Sequence, residues 1–355
     1  MKPVWKYAIA GFVGLIIGFS FASCGQQSGD GVEAESSLRF RFVEGKANHP
    51  NRLLEVQING VILNSPSSGF TGFSEGGVTY GYQVQRLLER ISQDDRIKGI
   101  LLRVSTPGGT VVGSDAIYKA LIAYRDKTKK PVIAYVEGLS ASGGVMSMVG
   151  AEAIYAAPGS LIGSIGVLGP SLTYFDGPVA TEGGILGGGI TTRNGIQRTT
   201  IAAGRGKDLG NPFRRATEEE IAVLRQGVNN LYDNFVRHVA TTRKIDEKQI
   251  RDQMGALIFD NRTAEKYKLI DGTRSRQEAI AELAKRAKVG EDYQLIRVSE
   301  SRGILTGLLG EHSLVNRGDQ TGKMIERDRC DATTQVALVY FGDITQLCSK
   351  VVSGQ

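Results

Sequence analysis

Ser142 stands in the stretch Leu139-Ser140-Ala141-Ser142-Gly143-Gly144, between the branched apolar run Pro131 to Val136 and the apolar run Val145 to Val149. Small residues between a strand and a helix let the backbone bend sharply, and glycine, lacking a Cβ, admits a ligand close to it. The first N–H groups of a helix have no intrahelical partner, so they would face whatever the Ser142 hydroxyl attacks. This is the chemistry of acyl transfer, a nucleophilic hydroxyl beside donors that await an oxyanion. Gly143 is the natural first donor. Gly109, in Ser105-Thr106-Pro107-Gly108-Gly109, is the natural second. Taken alone, each glycine pair is equally well an ordinary strand-to-helix turn.

A serine hydroxyl also needs a base to take its proton. The chain has three histidines, and none is placed like a triad base, although a Ser-His-Asp arrangement stays open. His49 precedes the first strong strand, His312 lies in a weakly patterned tail, and His238 flanks a long amphipathic helix beside Val239. The other common base is a lysine, whose amine accepts a proton only when neutral, a form that burial favours. Lys207 is the candidate, in Ala202-Ala203-Gly204-Arg205-Gly206-Lys207-Asp208. It follows the β-like Arg198 to Ala202, and its small neighbours would let its stem lie against the core. Arg205 and Asp208 fit an exposed charged turn just as well.

The elements that must hold these residues follow from periodicity. Leu53 to Leu63, Ile97 to Val104 and Pro131 to Val136 are short branched apolar runs, the pattern of buried strands. Tyr80 to Gln93, with Val84, Leu87, Leu88 and Ile91, and the stretch carrying Ile117, Leu121 and Tyr124 show one apolar helical face each. Strand and helix alternate, which predicts a layered α/β fold with parallel strands and crossover helices. In open parallel sheets the ligand lies beyond the carboxyl ends of the strands, where both glycine-pair turns fall. Ala153 to Pro158 and Leu257 to Phe259 read as further short strands. Thr217-Glu218-Glu219-Glu220 and Ser275 with Glu278 are capping boxes opening helices, the second stopped by Gly290. Gly169 to Gly206 is glycine-rich and weakly periodic, as expected of a loop or hairpin near a site. Val336 to Phe341 is one clear strand in the tail.

Hydrophobic residues make up 41% of the 355-residue chain and charged residues 23%, which excludes a disordered or collagen-like protein. A net charge of +6, with basic and acidic residues interleaved, gives no stripe for nucleic acid. Lys2 and Lys6 precede the uncharged apolar run Tyr7 to Ser23, which reads as a signal segment or an uncleaved anchor. The charge bias puts everything after Cys24 on the far side of the membrane. Phe21-Ala22-Ser23-Cys24-Gly25 resembles a bacterial lipoprotein processing site, with Cys24 the residue for lipidation. Cys330 and Cys348 remain as a pair for a disulfide or as two free thiols. The expected organisation is a membrane anchor or signal segment at 1–23 and a flexible tether at 24–50. A catalytic α/β domain follows at 51–289, then a C-terminal segment with a terminal strand at 290–355.

Four motifs in order carry a resemblance: Ser105 to Gly109, Ser140 to Gly144, Pro158 to Gly166 ending Gly-Ser-Ile-Gly, and Gly206-Lys207-Asp208 before the Thr-Glu-Glu-Glu helix. Together they resemble the signal peptide peptidase A family, over about Leu53 to Phe341. The resemblance implies a Clp-protease/crotonase-like fold and a Ser-Lys dyad without cofactor. Ser142 would be the nucleophile, Lys207 the general base, and Gly109 and Gly143 the oxyanion hole. It further implies a home on the outer face of the bacterial inner membrane or on thylakoids. The substrates would be apolar peptides such as remnant signal peptides, and the assembly a homo-oligomeric ring in which neighbouring chains complete sites. Three departures stand out: Val145 and Met146 where aromatic residues are usual, a Gly169 to Gly206 region longer and more glycine-rich than usual, and Lys268 in place of a usual glycine. An inactive scaffold of the same fold is the alternative, and an acyl-CoA enzyme of crotonase type the weakest reading.

Overall fold

The computed structural model describes residues 38–66, 74–75, 77–177, 195–299 and 338–340. In chain order these form β1 (Phe40–Gly45), β2 (Arg52–Asn59), β3 (Val61–Leu63), β4 (Ser74–Glu75), β5 (Val78–Tyr80) and α1 (Gly81–Ile91). Next come β6 (Ile97–Thr106), β7 (Gly108–Thr110), α2 (Val111–Thr128), β8 (Val132–Ala141), α3 (Gly143–Met148), β9 (Ala153–Ala156) and β10 (Leu161–Gly163). Then follow α4 (Glu218–Arg243), α5 (Glu247–Gln249), a π-turn at Ile250–Met254, β11 (Ile258–Phe259), α6 (Asn261–Lys266), β12 (Gly272–Thr273), α7 (Arg276–Arg286), β13 (Gln294–Val298) and β14 (Leu338–Tyr340).

The main sheet runs β1-β13-β2-β6-β8-β10-β11, with β9 beside β8 and β12 beside β9. All its pairings are parallel except β1 with β13 and β10 with β11. Period-two alternation sends Leu53, Leu101 and Ile133 to one face, where α7 packs Ile280 and Leu283 onto them. Leu54, Ile100, Leu102 and Val132 alternate with that set and are equally buried. Burial on both faces is why these strands read as continuous apolar runs. The buried stripes of α1 and α2 are the ones the periodicity indicates, through Val84, Leu87, Leu88 and Ile91 and through Ile117, Leu121 and Tyr124. The expected α/β layering with parallel strands and crossover helices is the architecture observed.

A second sheet, β14-β7-β3-β5-β4, sits at the end of the main one. It forms because Gly60, at φ 63, breaks the apolar run Leu53 to Leu63 into β2 and β3. β8 is also longer than the run Pro131 to Val136: after a kink at Gly138, φ 90, it continues to Ala141. Its first half pairs with β9 and its second with β10.

Both capping boxes are present, at Thr217 with Glu220 and at Ser275 with Glu278. The stop after α7 differs from expectation. Lys288, just past the helix end, already takes the left-handed position, at φ 57, and the Val289 N–H bonds back to the Ala284 carbonyl; Gly290, two residues further on, is left-handed as well, at φ 55. Lys268 also lies at φ 61, a conformation that glycine would adopt without strain.

Two expected boundaries move. β1 falls inside the stretch 24–50 read as a tether, because it pairs with β13 through a register running from Phe40 with Val298 to Gly45 with Gln294. β13 itself falls in the segment 290–355 that was expected to lie beyond the α/β domain. Arg198 to Ala202 forms no strand. Among the described residues no helix is long and apolar enough to cross a membrane. The segment 1–23, Cys24, His312, Cys330, Cys348 and residues 178–194 lie outside the described residues.

Candidate active site

Ser142 is the single residue between the end of β8 and the start of α3, at φ 54 and ψ −108. For a residue with a Cβ this is a sparsely populated conformation that costs about 1–3 kcal/mol and persists only where the surroundings enforce it. They do so here. The Ser142 N–H donates to the Gly163 carbonyl at 2.8 Å, and its carbonyl accepts from Met146 N–H at 2.9 Å. A serine on a strained strand-to-helix turn is the arrangement that presents a nucleophile at the end of a sheet. The Ser142 hydroxyl lies 3.4 Å from the Gly166 carbonyl, a long contact that leaves Oγ weakly held.

The neighbouring serines are committed elsewhere. Ser140 Oγ donates to Met148 Sδ at 3.1 Å, and Ser147 Oγ donates to the Gly143 carbonyl at 2.8 Å inside α3. Val145 and Met146 are buried at 0% and 2% exposure. They therefore fill core rather than wall a pocket, which accounts for aliphatic side chains at these positions.

The two glycine-pair turns are brought together. Thr106 pairs with Ser140 in the sheet register, and α3 packs against β7. A Cβ on Gly144 would lie 2.6 Å from Thr106 Cγ2 and 2.9 Å from Ser140 Oγ, so only glycine lets α3 start this close to β6. The Thr106 hydroxyl in turn accepts from Gly108 N–H at 2.9 Å and donates to the Gly60 carbonyl, fixing the turn into β7. Gly143 is the first residue of α3, where a backbone N–H has no intrahelical partner. Gly109 lies on β7, opposite Ile62 of β3 on one side and Val339 of β14 on the other. A Cβ there would meet the Ile62 carbonyl oxygen at 1.9 Å.

Lys207 is placed differently from the expectation that its stem lies against the core. It sits on an exposed turn closed by its N–H to the Gly204 carbonyl at 3.2 Å and by Leu209 N–H to the Gly206 carbonyl at 3.1 Å. Gly204 and Gly206 lie at φ 95 and 75, so the chain coils on itself instead of extending along the sheet. Arg214 clamps the turn, donating to Asp208 at 2.7 Å and to Glu220 at 2.8 Å. The Arg214 bonds, then the Thr217 N–H, pull the Glu220 carboxyl down to about 2. Among the described residues no hydrogen bond links Lys207 to Ser142.

His238 is no triad base in this structure. Its ring stacks on Tyr118 with centroids 4.3 Å apart, and its Nδ1 lies 3.8 Å from Asp115 Oδ1. Burial holds its pKa below the ordinary value, against the opposing charge of Asp115. His49 Nδ1 accepts from the Asn51 N–H. The residue that sequence reasoning passed over is Gly166, whose carbonyl touches Ser142 Oγ. Its signal was the Gly-Ser-Ile-Gly motif, in which Ser164 at φ 58 and Gly163 at φ 146 turn the chain past Ser142.

Comparison with known proteins identifies the family. A sequence profile described as Peptidase family S49 matches residues 124–290, a stretch containing Ser142, Gly143 and Lys207. "Putative protease MJ0651" of Methanocaldococcus jannaschii is 35% identical over 230 residues, 63% of this chain and 68% of that protein. "Putative signal peptide peptidase SppA" of Enterococcus faecium is 27% identical over 268 residues, 75% of this chain and 72% of that protein. A solved structure of a mutant of 1510-N, a membrane-bound stomatin-specific protease, aligns with a TM-score of 0.41 and 17% identity. That alignment covers 71% of this chain and 99% of the other.

Proposed function

The chain belongs to peptidase family S49, a serine peptidase family, and from that premise we propose that it is a membrane-anchored endopeptidase using a Ser-Lys dyad on extended apolar peptides, remnant signal peptides among them. The observation that carries the reading is Ser142 itself, a strained serine where β8 turns into α3, beside the N–H of Gly143 and close to the turn bearing Gly109. Ser142 Oγ attacks the scissile carbonyl, and the N–H groups of Gly143 and Gly109 hold the oxyanion. Lys207 takes the hydroxyl proton and returns it to the leaving amine. Water then attacks the acyl-enzyme with Lys207 as base once more.

The exposure of Lys207 in a single chain supports a site completed on assembly. The homo-oligomeric ring itself is proposed from the family resemblance, in which neighbouring chains complete sites. The address is proposed as the extracytoplasmic side of a bacterial inner membrane or thylakoid-type membrane, from the apolar run Tyr7 to Ser23 after Lys2 and Lys6. Cys24 is the residue for lipidation if the segment is processed.

Hydrolysis of signal-peptide-like substrates by the full chain in detergent tests the assignment. Ser142→Ala and Lys207→Met should both abolish turnover. Full activity in Lys207→Met would remove the dyad while leaving the nucleophile in place.

A further inference from the structure

Thr106 ends β6 at 1% exposure, where the two glycine-pair turns meet. A buried hydroxyl needs partners, and this one has two. It donates to the Gly60 carbonyl, at the break between β2 and β3, and accepts from the Gly108 N–H at 2.9 Å. Gly60 is held in turn by its own N–H, which donates to the Ser105 carbonyl at 2.9 Å. Gly108 lies at φ 99, and Gly109 follows it opposite Ile62 of β3. The hydroxyl therefore ties the Gly108-Gly109 turn to the start of β3. The methyl group faces the other turn: Cγ2 lies 2.6 Å from the place that a Cβ on Gly144 would take, in the first turn of α3. The register between β6 and β8 also shifts here. Val104 stands opposite Val136 but Thr106 opposite Ser140, so β8 spends two extra residues just before Ser142. Such irregularities re-aim the residues that follow them.

Resting on the peptidase reading of Ser142, we propose that Thr106 is a positioning residue for that reaction. Its hydroxyl sets the direction of the Gly109 N–H, and its methyl sets how near α3, with the Gly143 N–H, lies to that turn. Serine would supply the hydroxyl and valine the methyl; threonine supplies both. Thr106 acts through the two turns rather than on the substrate. Oxyanion donors work only when aimed at charge that develops in the transition state, and losing one costs about a hundred- to a thousandfold in kcat. A donor kept but misdirected costs less, on the order of ten- to a hundredfold. Because the interaction is made in the transition state alone, the loss falls on kcat and leaves KM in place. A merely structural threonine would show no such split.

Thr106→Val and Thr106→Ser, made in the full chain, separate the two groups. Valine keeps a methyl toward Gly144 and removes the hydroxyl, and serine does the reverse. Thr106→Cys, whose thiol is a weak donor and acceptor, takes the place of valine if that chain does not fold. The readouts are kcat and KM on a signal-peptide-like substrate, with kcat taken per Ser142 titrated by a fluorophosphonate so that unfolded chains do not count. A peptide aldehyde is the second probe: Ser142 Oγ adds to its carbonyl carbon, the hydroxyl proton passes to Lys207, and the aldehyde oxygen becomes the oxyanion. The expected result in Thr106→Val is kcat lower by about ten- to a hundredfold, KM within about twofold of the parent, and the aldehyde weakened by the same factor as kcat. Thr106→Ser should stay within about fivefold of the parent. An unmoved kcat in Thr106→Val would overturn the proposal. So would an equal loss in serine and valine, or a fall in kcat with aldehyde inhibition unchanged. An inert parent would overturn the peptidase reading and this proposal with it, whereas an active parent beside an unmoved valine variant would overturn this proposal alone.

Discussion

Replacing Ser142 by alanine and by glycine separates the strain at this position from the chemistry. Both variants lose the hydroxyl and its 3.4 Å contact with the Gly166 carbonyl, so that loss cancels between them. They differ in the backbone. Alanine keeps a Cβ at φ 54 and ψ −108, whereas glycine reaches this region freely and relieves about 1–3 kcal/mol of strain. Against that stands the larger entropy that glycine loses on folding, about 0.5–1 kcal/mol. The difference leaves Ser142→Gly more stable than Ser142→Ala by about 0.5–2 kcal/mol. For a domain of this size that corresponds to a Tm higher by roughly 1–6 °C. Urea titration and thermal unfolding of the two variants, followed by circular dichroism, would read it. A glycine variant no more stable than the alanine variant would refute the claim that the fold holds Ser142 under strain.

Other expectations follow from the same geometry. Gly109→Ala should destabilise the protein by about 3 kcal/mol or more, because its Cβ would lie 1.9 Å from the Ile62 carbonyl; a denaturant midpoint equal to the parent's would show that β3 and β7 are not this close. Glu55 is fully buried between Arg276, which it meets at 2.8 Å, Arg297 and Arg103. Burial pushes its carboxyl up, but the Arg276 hydrogen bond and the charges of Arg297, Arg276 and Arg103 outweigh it, and its pKa lies below the ordinary 4.5. Its stabilisation is therefore complete above about pH 4.5 and lost as pH falls through the lowered native value. Glu55→Gln should cost about 3 kcal/mol at pH 7 and flatten that acid limb of a stability-against-pH curve. Arg214→Met should loosen the turn carrying Lys207 and lower kcat/KM on the order of tenfold, with some fall in Tm because the ion pairs it removes are half buried; unchanged kcat/KM would detach this turn from catalysis.

The parts of the fold legible in the sequence are those whose signal is local. Val84, Leu87, Leu88 and Ile91 share a helical face within one short segment, and Thr217 with Glu220 or Ser275 with Glu278 close their caps across three residues. β1 was missed because its residues, Phe-Arg-Phe-Val-Glu-Gly, lie half exposed at the sheet edge, and its partner β13 is far away in the chain. Lys288 as the stop of α7 carried no residue-type signal, since the left-handed position normally calls for glycine. In the site, Ser142, Gly143 and Gly109 were legible as types at strand ends. The backbone angle at Ser142 and the seating of Val145 and Met146 in the core were not. The exposure of Lys207 is a matter of where the 204–210 turn lies, which small neighbours cannot specify. The tail strand was legible as a strand, but nothing in Val336 to Phe341 indicated that it would lie beside Gly109.

The central claim is that Ser142 is an activated nucleophile. Treating the full chain with a fluorophosphonate and mapping the adduct by mass spectrometry tests this directly. A single phosphonylated residue, Ser142, with labelling lost in Lys207→Met, is the predicted result. An unlabelled protein, or an adduct on Ser140 or Ser147 with Ser142 untouched, would contradict it.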